Sequence, residues 1–178
     1  MGSSEQQAAN KSLHETFDPP PIFAAAKISV ASNAAELRRF GGTQPVELLS
    51  FLEAVSRWAE SREDVVGLAL IGSHARNAAR PDSDIDLTVL CESLEALVNN
   101  QDWAALFGNI RENRTERYGP TRSVRVFYEN GLEVEFGIAE ISWAEIPLDS
   151  GTRRVISDGI RILYDRNGLL EEAENAAG

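Results

Sequence analysis

The chain has 178 residues, with 17 basic against 28 acidic side chains and a formal charge of −11, and its 43% hydrophobic and 25% charged composition is ordinary for a globular domain. That length suits one domain with a real core. The single Cys91 excludes an internal disulfide framework, and no apolar run approaches the roughly 18 residues of a membrane span. Tight non-specific binding to nucleic acid is disfavoured by the negative charge, since such binding needs many phosphate-neutralising cations. A small nucleotide held through a divalent metal remains compatible with it. The opening MGSSEQQAANK lacks a basic region followed by an apolar one, so no signal peptide is expected. Gln6 stands where a myristoylation signal needs Ser or Thr. The expected location is the cytoplasm.

Residues 1–44 read as an N-terminal extension, polar up to Asp18-Pro19-Pro20-Pro21, with a short helix capped by Asn33 and Glu36 and ended by Gly41-Gly42. Residues 45–178 read as the domain proper. Pro45 opens a helix whose apolar stripe runs through Val46, Leu49, Leu52, Val55 and Trp58. Val65 to Ile71 is a dense apolar run, short and β-branched at its start, and predicts a strand buried on both faces. Gly72-Ser73 ends it, and a short helix follows between His74 and Ala79. From Asp84 to Leu90 the sequence alternates, with Ile85, Leu87 and Val89 on one face and Asp84, Asp86 and Thr88 on the other. Ser93 to Phe107 predicts helix in two pieces. Ser123 to Ala139 predicts a hairpin around Asn130-Gly131. A strand at Ile160 to Tyr164 and a short acidic helix from Leu169 to Glu174 close the chain. This order predicts a mixed sheet covered by helices.

Asp84 and Asp86, two apart on a strand, project from the same face. Carboxylates that close repel and persist as anions mainly when a cation sits between them. Hard oxygen donors at this spacing suit Mg²⁺, which completes its shell with water and substrate phosphate. Glu135 lies on another strand with apolar neighbours on either side; if the two strands adjoin, three carboxylates converge. Glu133 shares the face of Glu135 and is the reserve for the third ligand. At Gly72 the backbone can approach a phosphate closely, and Ser73 can add a hydroxyl donor. A calcium loop starting at Asp82 is excluded, because its sixth position is Leu87 and its twelfth Ser93.

Gly72-Ser73, a ten-residue gap, Asp84-Ile-Asp86-Leu and a later acid at Glu135 resemble the signature of the DNA polymerase β-like nucleotidyltransferase superfamily, in its minimal and antibiotic-modifying forms. Asn-Gly-Leu-Glu-Val-Glu-Phe and Asp158-Gly159-Ile-Arg-Ile-Leu-Tyr-Asp165 are similar to its hairpin and final strand. The resemblance covers roughly residues 45–170. It implies a mixed five-stranded sheet with flanking helices, Mg²⁺ on Asp84, Asp86 and Glu135, and a nucleoside triphosphate at Gly72 and Ser73. It further implies transfer of a nucleoside monophosphate, usually AMP, to a hydroxyl, with release of pyrophosphate. Asn77 stands roughly where the family often has a second glycine, and asparagine tolerates left-handed backbone. Related antibiotic-modifying enzymes usually carry a further helical domain beside the acceptor, so here the acceptor site would come from a partner chain, a second copy included, or from the N-terminal extension, or would not exist.

Other residues have plainer readings beside functional ones. Ser73 can be a helix cap. His74 suits a local hydrogen bond. Arg76 and Arg80 suit surface charges, and Arg76 is the candidate that could meet a triphosphate. Trp58, Trp103 and Trp143 suit packing, and Cys91 a buried small hydrophobe. A two-residue Asn130-Gly131 turn would pair Arg125 with Phe136 and put a charge on the apolar face, unless a bulge shifts the register. The reading with the same fold and weak or no chemistry is a nucleotide-binding module acting with a helical partner; a third has the same site modify a partner protein.

Overall fold

The structure is a computed structural model and describes residues 46–178. The expected extension, the capping box at residues 33–36 and the boundary at residue 44 lie outside the described residues. Helix α1 spans Val46–Glu60. Its buried stripe, Leu48, Phe51, Leu52, Val55, Trp58 and Ala59, shares Leu52, Val55 and Trp58 with the predicted one and takes in Leu48 and Phe51, whereas Leu49 is only half-buried. Strand β1, Val65–Ile71, is buried from Val65 to Leu70, as a central strand covered on both faces should be.

The remaining elements follow in order. A single-turn helix α2 occupies Gly72–Ala75, strand β2 Ile85–Cys91 and helix α3 Leu94–Asn99, with a 3-10 turn at Asp102–Phe107. Next come strands β3 Ile110–Tyr118, β4 Thr121–Tyr128 and β5 Glu133–Glu140, then a 3-10 turn at Ile141–Ala144. Helix α4 Ser150–Asp158, strand β6 Ile160–Asp165 and helix α5 Leu169–Ala177 complete the described chain. The strands form one six-stranded sheet in the order β3-β4-β5-β2-β1-β6. β2 and β5 run parallel, and every other neighbouring pair is antiparallel.

The sheet is mixed, as expected, but has six strands instead of five. The additional strand is β3, whose sequence IRENRTERY is exposed from Arg111 to Tyr118. A doubly exposed edge strand has no apolar alternation to betray it, and its arginines and glutamates protect the open edge. Helix α4 was also not predicted. It starts on an Asp149 cap, whose carboxylate accepts from the Gly151 and Thr152 amides at 2.7 and 3.1 Å.

Alternation divides the sheet into two faces. On one, Leu68, Leu70, Leu87, Val89, Val124, Val126, Val134, Phe136 and Ile138 pack under α1, α3 and the Asp102–Phe107 turn. Trp58 and Trp103 stack there at 5.0 Å, and the Tyr128 hydroxyl donates to the Ala104 carbonyl at 2.9 Å. On the other face, Val66, Ala69, Leu90 and Ala139 pack against Ile156 of α4 and Leu170 and Ala173 of α5. Asp165 ties the latter helix to the sheet by accepting from the Leu170 and Glu171 amides at 2.9 and 3.0 Å. Asp86, Thr88, Glu135, Gly137, Ser123 and Arg125 belong to this second face by strand alternation.

Candidate active site

One row across the sheet assembles the site. Ile71 of β1 pairs with Asp86 of β2, Asp86 with Glu135 of β5, and Glu135 with Arg125 of β4. Asp84 lies just before β2, where the chain enters the sheet. A ligand oxygen from each of Asp84, Asp86 and Glu135 lies within 4.8 Å of the others, and all three residues are half-buried. The parallel pairing of β2 with β5 thus brings together acids 49 positions apart in sequence. Glu133, the reserve, is outside this trio and pairs with Arg125 instead.

The Gly72 corner faces the same cluster. Its φ is +67°, and a Cβ there would clash with Asp86 Oδ2. Gly72 is therefore needed both for its left-handed backbone and for the space the carboxylate takes. Ser73 sits in the single-turn α2, where the N-cap position belongs to Ile71, so the serine makes no cap. Asn77 has φ +57°, the conformation expected of it, and its side-chain oxygen accepts from the buried Arg161 at 3.1 Å. His74 is buried, with Nε2 3.5 Å from the Ser83 carbonyl oxygen, a local role that helps place the segment leading to Asp84. Arg76 pairs with Asp158 at the end of α4.

Electrostatics mark Asp86 as the unusual member. Burial, and after it the charges of Asp84 and Glu135, push its carboxyl up to about 6. Asp84 and Glu135 are partnered by Arg125, which a two-residue turn would have put on the apolar face. The Arg125 guanidinium donates through Nη1 to Asp84 Oδ2 at 3.0 Å and to Glu133, and through Nη2 to Glu135. Burial opposes the charge of Arg125, yet the hydrogen bonds to Glu133 and Asp84 and the charge of Glu135 outweigh it and hold its pKa above the usual arginine value. The hairpin explains the placement. Tyr128 N donates to the Leu132 carbonyl at 2.9 Å, and Gly131 has φ +91°, so three residues and not two form the loop. The register moves by one, and Arg125 opposes Glu135 instead of Phe136. The signal was present in the sequence: a charge on an otherwise apolar face is the mark of a register error.

The donor set fits a small divalent cation. Its oxygens are hard ligands. One oxygen from each acid lies within 4.8 Å of the others, close enough for a single small cation to be reached by all three. Beside the acids, a cavity of about 210 Å³ is lined by Asp86, Glu135, Thr88, Thr121, Tyr118 and Trp143, among others. Trp143 packs against the second cluster, as expected, and its half-buried ring also forms part of this wall.

Residues 53–117 match the family model described as Polymerase beta, Nucleotidyltransferase, a segment that contains Gly72, Ser73, Asp84 and Asp86 and stops short of Glu135. No curated protein matches the chain. Among solved structures, an aminoglycoside 6-adenyltransferase from Bacillus subtilis is similar at 14% identity and a TM-score of 0.43, over 62% of this chain and 39% of that one. A nucleotidyltransferase-like protein from Exiguobacterium sibiricum is similar at 16% identity and a TM-score of 0.37, over 71% and 38%. The chain thus spans about two-fifths of the length of these solved proteins. No helix among the described residues is long and apolar enough to cross a membrane. The matched segment, residues 53–117, supplies the glycine-serine corner and both aspartates of the acidic cluster, and over that segment the chain is similar to nucleotidyltransferases of the polymerase β type.

Proposed function

We propose that this protein is a nucleotidyltransferase that transfers a nucleoside monophosphate, AMP from ATP, to a hydroxyl of a small molecule or protein, with Mg²⁺ held by Asp84, Asp86 and Glu135. The observation that carries the reading is the convergence of these three carboxylates within 4.8 Å beside Gly72. Bound Mg²⁺ supplies neutralisation of the polyphosphate and of the charge that develops on the leaving pyrophosphate. Asp84 and Asp86 would hold the ion against the sheet, and Gly72, with no side chain, leaves room for the Asp86 carboxylate and an open backbone at the corner for the polyphosphate. Ser73 would contribute a hydroxyl, and Arg76, here paired with Asp158, would contribute a guanidinium. Glu135 accepts the proton of the attacking hydroxyl. The new bond joins the acceptor oxygen to the α-phosphorus, the bond from that phosphorus to the β-bridging oxygen breaks, and pyrophosphate departs. The cavity that shares Asp86 and Glu135 is where the acceptor would lie, in reach of that base.

The test incubates the protein with Mg²⁺, each of four α-labelled nucleoside triphosphates and panels of alcohols and candidate protein acceptors. Pyrophosphate release with label on an acceptor is expected, strongest with ATP. Nucleotide binding without any release across the panels would favour the module acting with a partner.

A further inference from the structure

Arg125 is the one cation that the described ion pairs place among the acids of the site, and it takes three of them at once. Asp84, Glu133 and Glu135 all accept from its guanidinium, which is only one-quarter exposed. Asp86 feels its charge without being among these three partners. A divalent ion entering the trio would therefore use two carboxylates already engaged by Arg125, each through one oxygen: Oδ2 of Asp84 and Oε2 of Glu135. The second oxygen of each remains for another partner, because a carboxylate offers several lone-pair directions. The guanidinium fork is suited to this, since its fixed, planar donors can orient two carboxylates together where a flexible ammonium cannot.

We infer that Arg125 is a positioning residue with two linked effects: it holds Asp84 and Glu135 in the metal-binding arrangement, and its charge keeps a divalent ion weakly bound until a polyphosphate arrives with it. Four carboxylates and one guanidinium leave this cluster at a charge of about −3, against −4 without Arg125. Removal of a unit positive charge from within a few ångströms strengthens attraction for a dication. A metal held firmly without nucleotide is then a trap, and acids no longer clamped in register present their oxygens less well. The inference rests on the metal-dependent reading above, and it adds an opposing pair of effects that a purely structural arginine would not produce. Loss of a merely structural Arg125 would scatter the acids and weaken metal binding.

The experiment measures Mn²⁺ affinity by electron paramagnetic resonance, with and without a non-hydrolysable ATP analogue, in the wild type, Arg125→Gln and Arg125→Lys. Folding of each variant is checked by far-ultraviolet circular dichroism. Arg125→Gln is expected to bind Mn²⁺ without nucleotide about tenfold more tightly, and to transfer nucleotide at least about tenfold more slowly at saturating metal. Arg125→Lys keeps the charge and loses the fork. Its nucleotide-free affinity is expected to stay within about threefold of wild type while transfer falls. Glu133→Gln provides a second line should Arg125→Gln fold poorly. One acid fewer on the same guanidinium is expected to weaken nucleotide-free Mn²⁺ binding by about threefold or more. Unchanged or weaker Mn²⁺ binding in Arg125→Gln, or no weakening in Glu133→Gln, overturns the inference. Should the wild type form the ternary Mn²⁺–nucleotide complex while these variants behave so, only the role of Arg125 fails. Absence of any ternary complex in the wild type sinks the metal-dependent reading itself.

Discussion

Asp86 is where burial and function conflict most openly. In the metal-free protein its carboxyl is raised to about 6 by burial and by its acidic neighbours. A group whose folded value lies above its unfolded value gives stability that is complete below the unfolded value, near 4, and lost as pH rises through 6. At neutral pH the ionised Asp86 therefore destabilises the metal-free fold. Asp86→Asn is expected to raise metal-free stability at pH 7 by about 1 kcal/mol, after allowance for the solvent over the site, and to abolish transfer. Urea denaturation with and without Mg²⁺ checks this, and a destabilised variant would contradict it. Gly72→Ala goes the other way. The added methyl meets Asp86 Oδ2 in a left-handed backbone position, and we expect a loss of about 1–2 kcal/mol together with impaired metal binding, read by thermal denaturation and Mn²⁺ titration.

At the level of elements, helix α4 links the site to the second core face. Its Asp149 cap accepts two backbone amides and the Thr152 hydroxyl, the last at 2.6 Å. Its last residue, Asp158, receives Arg76 from the segment after α2. Asp149→Ala is expected to cost about 1 kcal/mol and to loosen that helix in hydrogen exchange before the rest of the sheet opens; equal protection in both proteins would count against the cap. The sequence made these elements unequally legible. β1 and β2 were readable because their apolar runs and alternation leave few alternatives, and the acidic row followed from β2. Glu135 was readable as a candidate, but its adjacency to Asp86 depends on a parallel crossover that no local pattern encodes. β3 was hidden by its exposure on both faces. The place of Arg125 was hidden by one residue of loop length: the Asn130-Gly131 pair does form the turn, yet with Glu129 included in the loop. Helix α4 has a short, polar sequence, SGTRRVISD, whose burial is confined to Thr152 and Ile156, too few residues to set a period.

Among the described residues, inside the exposed edge strand β3, one sheet has an apolar face and a second face divided between core and chemistry. The apolar face buries Cys91 and Tyr128 deeply, and burial pushes the Cys91 thiol up to about 12 and raises the Tyr128 phenol as well. Both groups ionise at lower pH once unfolded, so stability is intact below about 9 and falls as pH rises above it, by up to about 1.4 kcal/mol per unit for each group. Native Cys91 should therefore resist thiol reagents at pH 8 and react on unfolding, and the urea midpoint should drop between pH 8 and pH 10. On the other face, α4 and α5 cover the sheet only in part, and the acids stand at the open end next to the cavity. A chain of charge −11 gains little from approaching a bare triphosphate, which makes a metal-bridged approach the physically reasonable one. The most direct test is a crystal structure with Mn²⁺ and a non-hydrolysable triphosphate, with the metal located by anomalous scattering. The account predicts a peak at bonding distance from Asp84 and Asp86, Glu135 turned toward it and the triphosphate against Gly72 and Ser73. Metal bound elsewhere, or a triphosphate seated away from that corner, would contradict it.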